Sequence, residues 1–339
     1  MITEKNKKVA VGVSGGVDSS VALKILKEKG YSPVGFFMKF WGDENHCCGM
    51  DSERRARKTC NDLGVPFYVL DVRDQFKKEV VDYFLRSYQS GETPNPCIAC
   101  NREIKFKTLF KKIKEFEGTK VATGHYACFE DGLISVPKDK DKDQTYFLWD
   151  LKKELLDNIL FPLGDLKKTE VRQLASRINL PAADVSDSQE VCFVKDDLSD
   201  FLKEYIDLIP GDIEDKYGKK LGTHIGLPVY TIGQRKGIGL SGGPFYVLKK
   251  DVERNVLVVT KDDKDLLEEK VSFREENFFR DLNFPLEVEA KIRYNAPKKE
   301  GVLKSEGQFV FKKAQRAIAS GQSIVFYKSG KLLGGGIIS

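Results

Sequence analysis

The stretch Lys8-Val9-Ala10-Val11-Gly12-Val13-Ser14-Gly15-Gly16-Val17-Asp18-Ser19-Ser20 decides the fold. Lys8 to Val13 is apolar at nearly every position, as a strand buried on both faces requires. A glycine turn follows, and the run from Val21 to Lys29 has the spacing of a helix. A strand that turns through glycines into a helix offers backbone N–H groups, and the positive end of the helix dipole, to an anion. Ser14, Ser19 and Ser20 add hydroxyls, and Asp18 is a candidate magnesium ligand beside bound phosphates. No Gly-Lys-Ser/Thr follows, so the loop is not of the Walker type.

Outward from this loop, strand and helix alternate. Strands are predicted at Val34 to Met38, Phe67 to Leu70 and Lys120 to Ala122. Helices are predicted at Ser52 to Leu63, Gln75 to Ser90, Glu103 to Phe116, Leu166 to Ile178 and Leu198 to Ile206. This rhythm implies an α/β domain with a parallel sheet covered on both faces, its ligand outside the C-terminal ends of the strands. From Ile209 onward Gly and Pro recur, and Leu227 to Ile232, Phe245 to Lys249 and Asn255 to Thr260 alternate like antiparallel strands. From Val271 onward, Leu286 to Tyr294, Gln308 to Phe311, Ser323 to Tyr327 and Leu332 to Ile338 are spaced as in a small barrel. The expected domains are therefore 1–205, 206–270 and 271–339. The mixed-charge run Pro137 to Asp143 is expected to be a mobile surface loop.

The 339 residues are 41% hydrophobic and 32% charged, with a formal net charge of +5, an ordinary composition for a multidomain soluble protein. A polyanionic partner is permitted by that balance and not demanded by it. No apolar run is long enough to span a bilayer. Met1-Ile2-Thr3-Glu4-Lys5 lacks a signal-peptide stretch, which predicts a cytoplasmic protein with no membrane partner.

Seven cysteines, an odd number, point to reactive or metal-binding thiols rather than structural disulfides. In Thr93-Pro94-Asn95-Pro96-Cys97-Ile98-Ala99-Cys100-Asn101-Arg102, two thiols sit between a proline-rich turn and a helix. A thiol at a helix N-terminus is expected to have its pKa lowered from about 8.5. Cys192, in Asp187-Ser188-Gln189-Glu190-Val191-Cys192-Phe193, is a second candidate. Cys60 and Cys128 read as small buried hydrophobes. His46-Cys47-Cys48 could suggest a metal, but no second Cys-x-x-Cys completes a zinc site.

Together these motifs resemble the tRNA-specific 2-thiouridylases. The loop resembles the PP-loop of ATP pyrophosphatases, and Phe37-Met38-Lys39, Thr93 to Phe106, Ala122-Thr123-Gly124-His125-Tyr126 and Lys142 to Phe147 match as well. So do Asp187-Ser188 with Cys192-Phe193, Thr231 to Gly239, and Gly321-Gln322-Ser323. The resemblance implies an ATP-pyrophosphatase domain, a small mainly β adaptor and a C-terminal β-barrel. It implies that Gly12, Val13, Ser14, Gly15, Gly16, Val17, Asp18, Ser19, Met38 and Gly124 surround ATP. It makes Cys100 the nucleophile and Cys192 the persulfide carrier, loaded by a sulfur-relay protein and able to form a transient disulfide with Cys100. Asn95, Pro96 and Cys97 would face the target base. His125, Lys142, Asp143, Gln144, Arg293, Tyr294 and Gln322 would meet tRNA.

One departure matters: Cys97 stands where many relatives carry Asp. Cys97, Cys100 and Cys192 could instead bind a [4Fe-4S] cluster, with one iron open to sulfide. The expected activity is ATP-dependent 2-thiolation of the wobble uridine, through a persulfide or through such a cluster. An amidating ligase would use the same loop but needs an amine source that the sequence does not display. A non-catalytic tRNA-binding module leaves the loop unexplained.

Overall fold

The computed structural model describes residues 7–41, 49–183, 185, 191–194 and 197–339. The chain forms two compact units, one of residues 1–80, 97–195 and 329–333, the other of residues 81–96, 196–328 and 334–339.

The first unit is built on a five-stranded parallel sheet in the order β3-β2-β1-β4-β7. Its strands are β1 (Lys8–Gly12), β2 (Ser32–Lys39), β3 (Phe67–Asp71), β4 (Lys120–Ala122) and β7 (Ile159–Leu160). A hairpin of β5 (Cys128–Glu130) and β6 (Leu133–Ser135) follows β4. Val9, Ala10 and Val11 are fully buried because both faces of central β1 are covered. Helix α1 (Val17–Glu28) lays Val17, Val21 and Ala22 against Val171 and Ala175 of α3 (Lys168–Arg177). Helix α2 (Met50–Asp62) buries Ala56 and Cys60 in the cluster with Val9, Val11 and Phe37. From β1 the chain first builds outward to β2 and β3, then returns to the other side of β1 as β4. That reversal opens a crevice at the C-terminal ends of β1 and β4, where such sheets bind ligands.

The second unit holds a four-stranded sheet and, but for residues 331–333, a six-stranded barrel. The sheet joins β8 (Gly211–Asp215), β9 (Lys220–His224), β10 (Tyr246–Asp251) and β11 (Val256–Thr260) in the order β10-β11-β8-β9. Two expectations are corrected here. The β11–β8 pair is parallel, so the sheet is mixed. Leu227 to Ile232 is no strand; Leu227–Val229 is a single 3-10 turn, because Pro228 lacks the N–H a ladder needs. The barrel runs β12 (Leu267–Phe278), β15 (Gln308–Arg316), β14 (Lys299–Ser305), β13 (Leu286–Lys291), β16 (Ser323–Lys328) and β17 (Lys331–Ile338), and β12 pairs with β17 to close it. Closure leaves no edge strand, and Phe273, Phe309 and Phe326 fill the interior.

Candidate active site

At the crevice Gly15 has a φ of +76°, and a Cβ there would lie 2.1 Å from the carbonyl oxygen of Ser52. Only glycine fits. Arg55 Nε donates to the Gly15 carbonyl at 3.1 Å and Arg55 Nη2 to Ser52 Oγ at 2.9 Å, fixing the turn from outside. Inside it, Ser14 N donates to Ser19 Oγ at 3.1 Å, while Ser19 Oγ and Ser20 Oγ donate to the Gly16 carbonyl at 3.1 and 3.0 Å. Gly124, just past β4, closes the other side: a Cβ there would lie 2.8 Å from Ser19 N. Val13 N donates to the Phe36 carbonyl at 2.9 Å and Met38 is buried on β2, so both belong to the floor of the sheet.

Asp18, in the first turn of α1, is held by two side chains. Lys168 Nζ lies 2.7 Å from each of its carboxylate oxygens, and Tyr126 Oη donates to Oδ1 at 2.9 Å. Lys168 is buried and is the first residue of α3, 150 positions along the chain. Its backbone N–H donates to Asp139 Oδ2 at 2.8 Å. A lysine at a helix N-terminus opposes the helix dipole, which marks a cation placed for a tertiary partner. Sequence reasoning passed over Lys168 and Tyr126; the signal was this misplaced lysine in Leu166-Lys167-Lys168. Both Asp18 oxygens are therefore engaged by protein groups, and magnesium would first have to displace the ammonium.

Two acids of the run Pro137 to Asp143 are hydrogen-bonded. Asp139 anchors α3, and buried Asp143 accepts from Thr145 N at 2.9 Å and Thr145 Oγ1 at 2.5 Å. Lys142, half-buried, ends the 3-10 turn Lys140–Lys142 within that run. Gln144 Oε1 accepts from Tyr126 N at 2.9 Å, which sets the tyrosine against Asp18. His125 Nδ1 lies 2.7 Å from Thr123 Oγ1, and its ring stacks on Phe106 at 6.0 Å. Burial, helped by the charge of Lys105, lowers its pKa to about 3. His125 is thus a neutral hydrogen-bonding group.

The thiol segment is helical from Pro96: an α turn at Pro96–Ala99, π turns over Cys100–Phe106, then α again over Lys107–Glu115. Half-buried Cys97 occupies the N-terminal turn, whereas Cys100 lies behind it, 5% exposed. The expectation of a lowered pKa at Cys100 is overturned. Burial, with a smaller contribution from Cys97, pushes it up to about 11, and the Lys105 charge only partly opposes this. Burial outweighs the helix dipole because desolvating a thiolate costs more than an end-of-helix dipole returns.

Cys192 is half-buried, and its neighbour Phe193 packs edge-on against Phe76 at 5.8 Å. Asp187 and Ser188 lie outside the described residues, as do His46, Cys47 and Cys48. Cys97, Cys100 and Cys192 form no disulfide with one another. Among the described residues no three His, Cys, Asp or Glu side chains are grouped to hold a metal. As arranged, Cys97, Cys100 and Cys192 are not gathered into such a group. Cys60 is fully buried and pushed up to about 12 by burial, as its reading as a small hydrophobe requires.

In the second unit Arg293 Nη2 donates to the carbonyls of Ile232 at 3.2 Å and Ala317 at 2.8 Å, tying the small sheet's turn to the barrel. Tyr294 carries the Lys291 ammonium 5.3 Å from its ring centre. Gln322 Nε2 donates to the Thr93 carbonyl at 2.7 Å. Asn95 and Pro96 lie two and three positions beyond this anchored residue.

With this geometry in hand, comparison with known proteins is decisive. A 2-thiouridylase from Thermoanaerobacter pseudethanolicus, "tRNA-specific 2-thiouridylase MnmA 1", is 44% identical over 99% of this chain and 98% of its own length. The chain belongs to the tRNA-specific 2-thiouridylase family. Relatives of that name are 42% identical in Clostridioides difficile, over 98% of both chains, and 44% identical in Clostridium botulinum strain Hall, over 98% of this chain and 99% of that one. Family models described as the tRNA methyl transferase HUP domain, the tRNA methyl transferase PRC-barrel domain and the aminomethyltransferase β-barrel domain match residues 7–196, 199–261 and 268–338. Among solved structures, NMN synthetase from Francisella tularensis is similar at a TM-score of 0.36 and 20% identity, over 54% of this chain and 67% of that one. No helix among the described residues of this thiouridylase is long and apolar enough to cross a membrane.

Proposed function

We propose that this chain consumes ATP to exchange O2 of the wobble uridine of a tRNA for sulfur carried on Cys192. The observation that carries the reading is the pairing, within one compact unit, of a PP-loop whose Asp18 is armed by a buried lysine with three thiols outside any disulfide.

The uridine O2 attacks the α phosphorus of ATP; the bond to the β-phosphate oxygen breaks and pyrophosphate leaves. The N–H groups at the start of α1 are the donors available to the charge that develops there. The loop carries no lysine of its own, and Lys168 supplies the cation. Adenylation makes the C2 oxygen part of a good leaving group, AMP. The terminal sulfur of a Cys192 persulfide, supplied by a sulfur-relay protein, then attacks C2, and AMP departs with the oxygen. Cys100 attacks Cys192 Sγ, breaking the sulfur–sulfur bond, so that the sulfane sulfur is reduced to thiocarbonyl as the two thiols are oxidised to a disulfide. An external dithiol resets the pair.

Supplying [α-32P]ATP with and without tRNA tests this. AMP and pyrophosphate should form only with tRNA, and Asp18→Ala and Lys168→Met should each abolish them. ADP and inorganic phosphate as products would overturn the reading.

A further inference from the structure

The segment that leads into the thiols is held from two sides within the second unit. On the barrel side, Thr93 N donates to the Ser320 carbonyl at 2.8 Å and Gln322 Nε2 donates to the Thr93 carbonyl at 2.7 Å, so both backbone groups of Thr93 are spent on one barrel turn. Arg274 Nη2, on β12, donates to Glu92 Oε1 at 2.7 Å. The approach is close: Gly321 has a φ of +85°, and a Cβ there would lie 2.7 Å from Glu92 Cβ and 2.8 Å from Thr93 N. On the side of the small sheet, a Cβ on Gly91 would lie 2.6 Å from Val252 Cγ2, and the Glu92 carboxylate acts on the half-buried Lys250 ammonium.

Three residues, Pro94-Asn95-Pro96, separate Thr93 from Cys97. Each proline fixes its own φ and pushes the residue before it into extended backbone, so the chain between Thr93 and Cys97 has little conformational freedom of its own. We infer that the barrel turn Ser320–Gln322, with Arg274, is a clamp that positions the Thr93–Cys97 segment for the sulfur-transfer reaction, and that Gln322 is a positioning residue acting on Thr93 rather than a contact to RNA. The inference rests on the thiolation reading for its kinetic consequence, though not for its structural one.

Gln322→Met keeps the length of the side chain and removes the donor; Arg274→Met removes the second anchor. Three quantities are read on the full chain: tRNA affinity by filter binding, kcat and KM for 2-thiouridine formation, and the rate at which iodoacetamide alkylates Cys97, resolved by peptide mass spectrometry without substrates. For Gln322→Met, kcat should fall about tenfold or more while tRNA affinity and KM stay within about twofold, since a displacement of roughly 1 Å suffices for a loss of that size. Cys97 alkylation should rise severalfold. Arg274→Met should give the same pattern more weakly, and it carries the test if Gln322→Met does not fold. A fall in tRNA affinity with kcat unchanged would make Gln322 an RNA contact and overturn the clamp. Unchanged kcat with unchanged alkylation would overturn it too, as would faster alkylation with unchanged kcat. If the wild-type protein forms no 2-thiouridine yet alkylation rises in the variants, the thiolation reading fails while the clamp stands.

Discussion

Cys100 should behave in the resting protein as a suppressed thiol, and this can be measured. Burial raises its pKa from the usual 9 to about 11. At pH 8 roughly one molecule in a thousand then carries the thiolate, against about one in ten for an ordinary thiol, a deficit of about 100-fold. A more basic thiolate is the better nucleophile, and over two pH units that returns about tenfold. Net alkylation of Cys100 at pH 8 should therefore be about tenfold slower than that of an exposed cysteine, with burial slowing it further. The rate should keep climbing about tenfold per pH unit up to pH 10, with no plateau. Substitution of Lys105 by Ala removes the opposing cation and should slow Cys100 further, whereas Cys97→Ser should speed it, because the charge of Cys97 contributes to the rise. Iodoacetamide labelling across pH 7 to 10, resolved by peptide mass spectrometry, reads all of these. A plateau for Cys100 between pH 8 and 9 would refute the reasoning.

Three further outcomes follow from the packing. Gly124→Ala sets a methyl group 2.8 Å from Ser19 N and 2.9 Å from the Asp18 carbonyl carbon, both backbone at the start of α1; calorimetry should show ATP affinity reduced about tenfold or more, with the thermal transition retained. Burial lowers the pKa of Lys250 from 10.5 to about 8, against the pull of Glu92. Between those values the unfolded chain holds a proton that the folded chain lacks, so stability from this group rises with pH across the window and its full cost is present below pH 8. Lys250→Met should thus stabilise the protein at pH 7 by up to about 3 kcal/mol, less the lost bond to the Tyr230 carbonyl, and the gain should vanish by about pH 10.5 in urea unfolding; a gain independent of pH would contradict it. Cys60→Ser places a hydroxyl at a fully buried site against Gly35 and should cost about 1–3 kcal/mol in the same assay, while thiolation per folded molecule is unchanged.

The elements legible in the sequence are those written in local patterns. The β1–loop–α1 unit was legible because a buried parallel strand is apolar throughout and a phosphate turn needs glycines at fixed places. β12 and β14 were not predicted, because Leu267–Phe278 carries six charged residues and Lys299–Ser305 three, and both gain their partners only when the barrel closes. Leu227 to Ile232 failed in the opposite sense: its apolar alternation fits a strand, but Val229 and Ile232 meet the core of the small sheet from a turn.

The site divides in the same way. Sequence alone singled out the candidates for the chemistry: the glycines and Asp18 of the loop, and the thiols at positions 97, 100 and 192. These are chemical identities tied to short motifs, and local geometry reveals them. Tertiary structure decided what those groups are. Asp18 is a lysine-paired carboxylate because α3 returns 150 residues later to the mouth of β1. Cys100 is a protonated thiol because neighbouring elements bury it, and desolvation depends on what packs around a group rather than on its neighbours in the chain. Gln322 and Thr93, 229 positions apart, meet only through the fold, since a hydrogen bond has a range of about 3 Å and leaves no trace in sequence spacing.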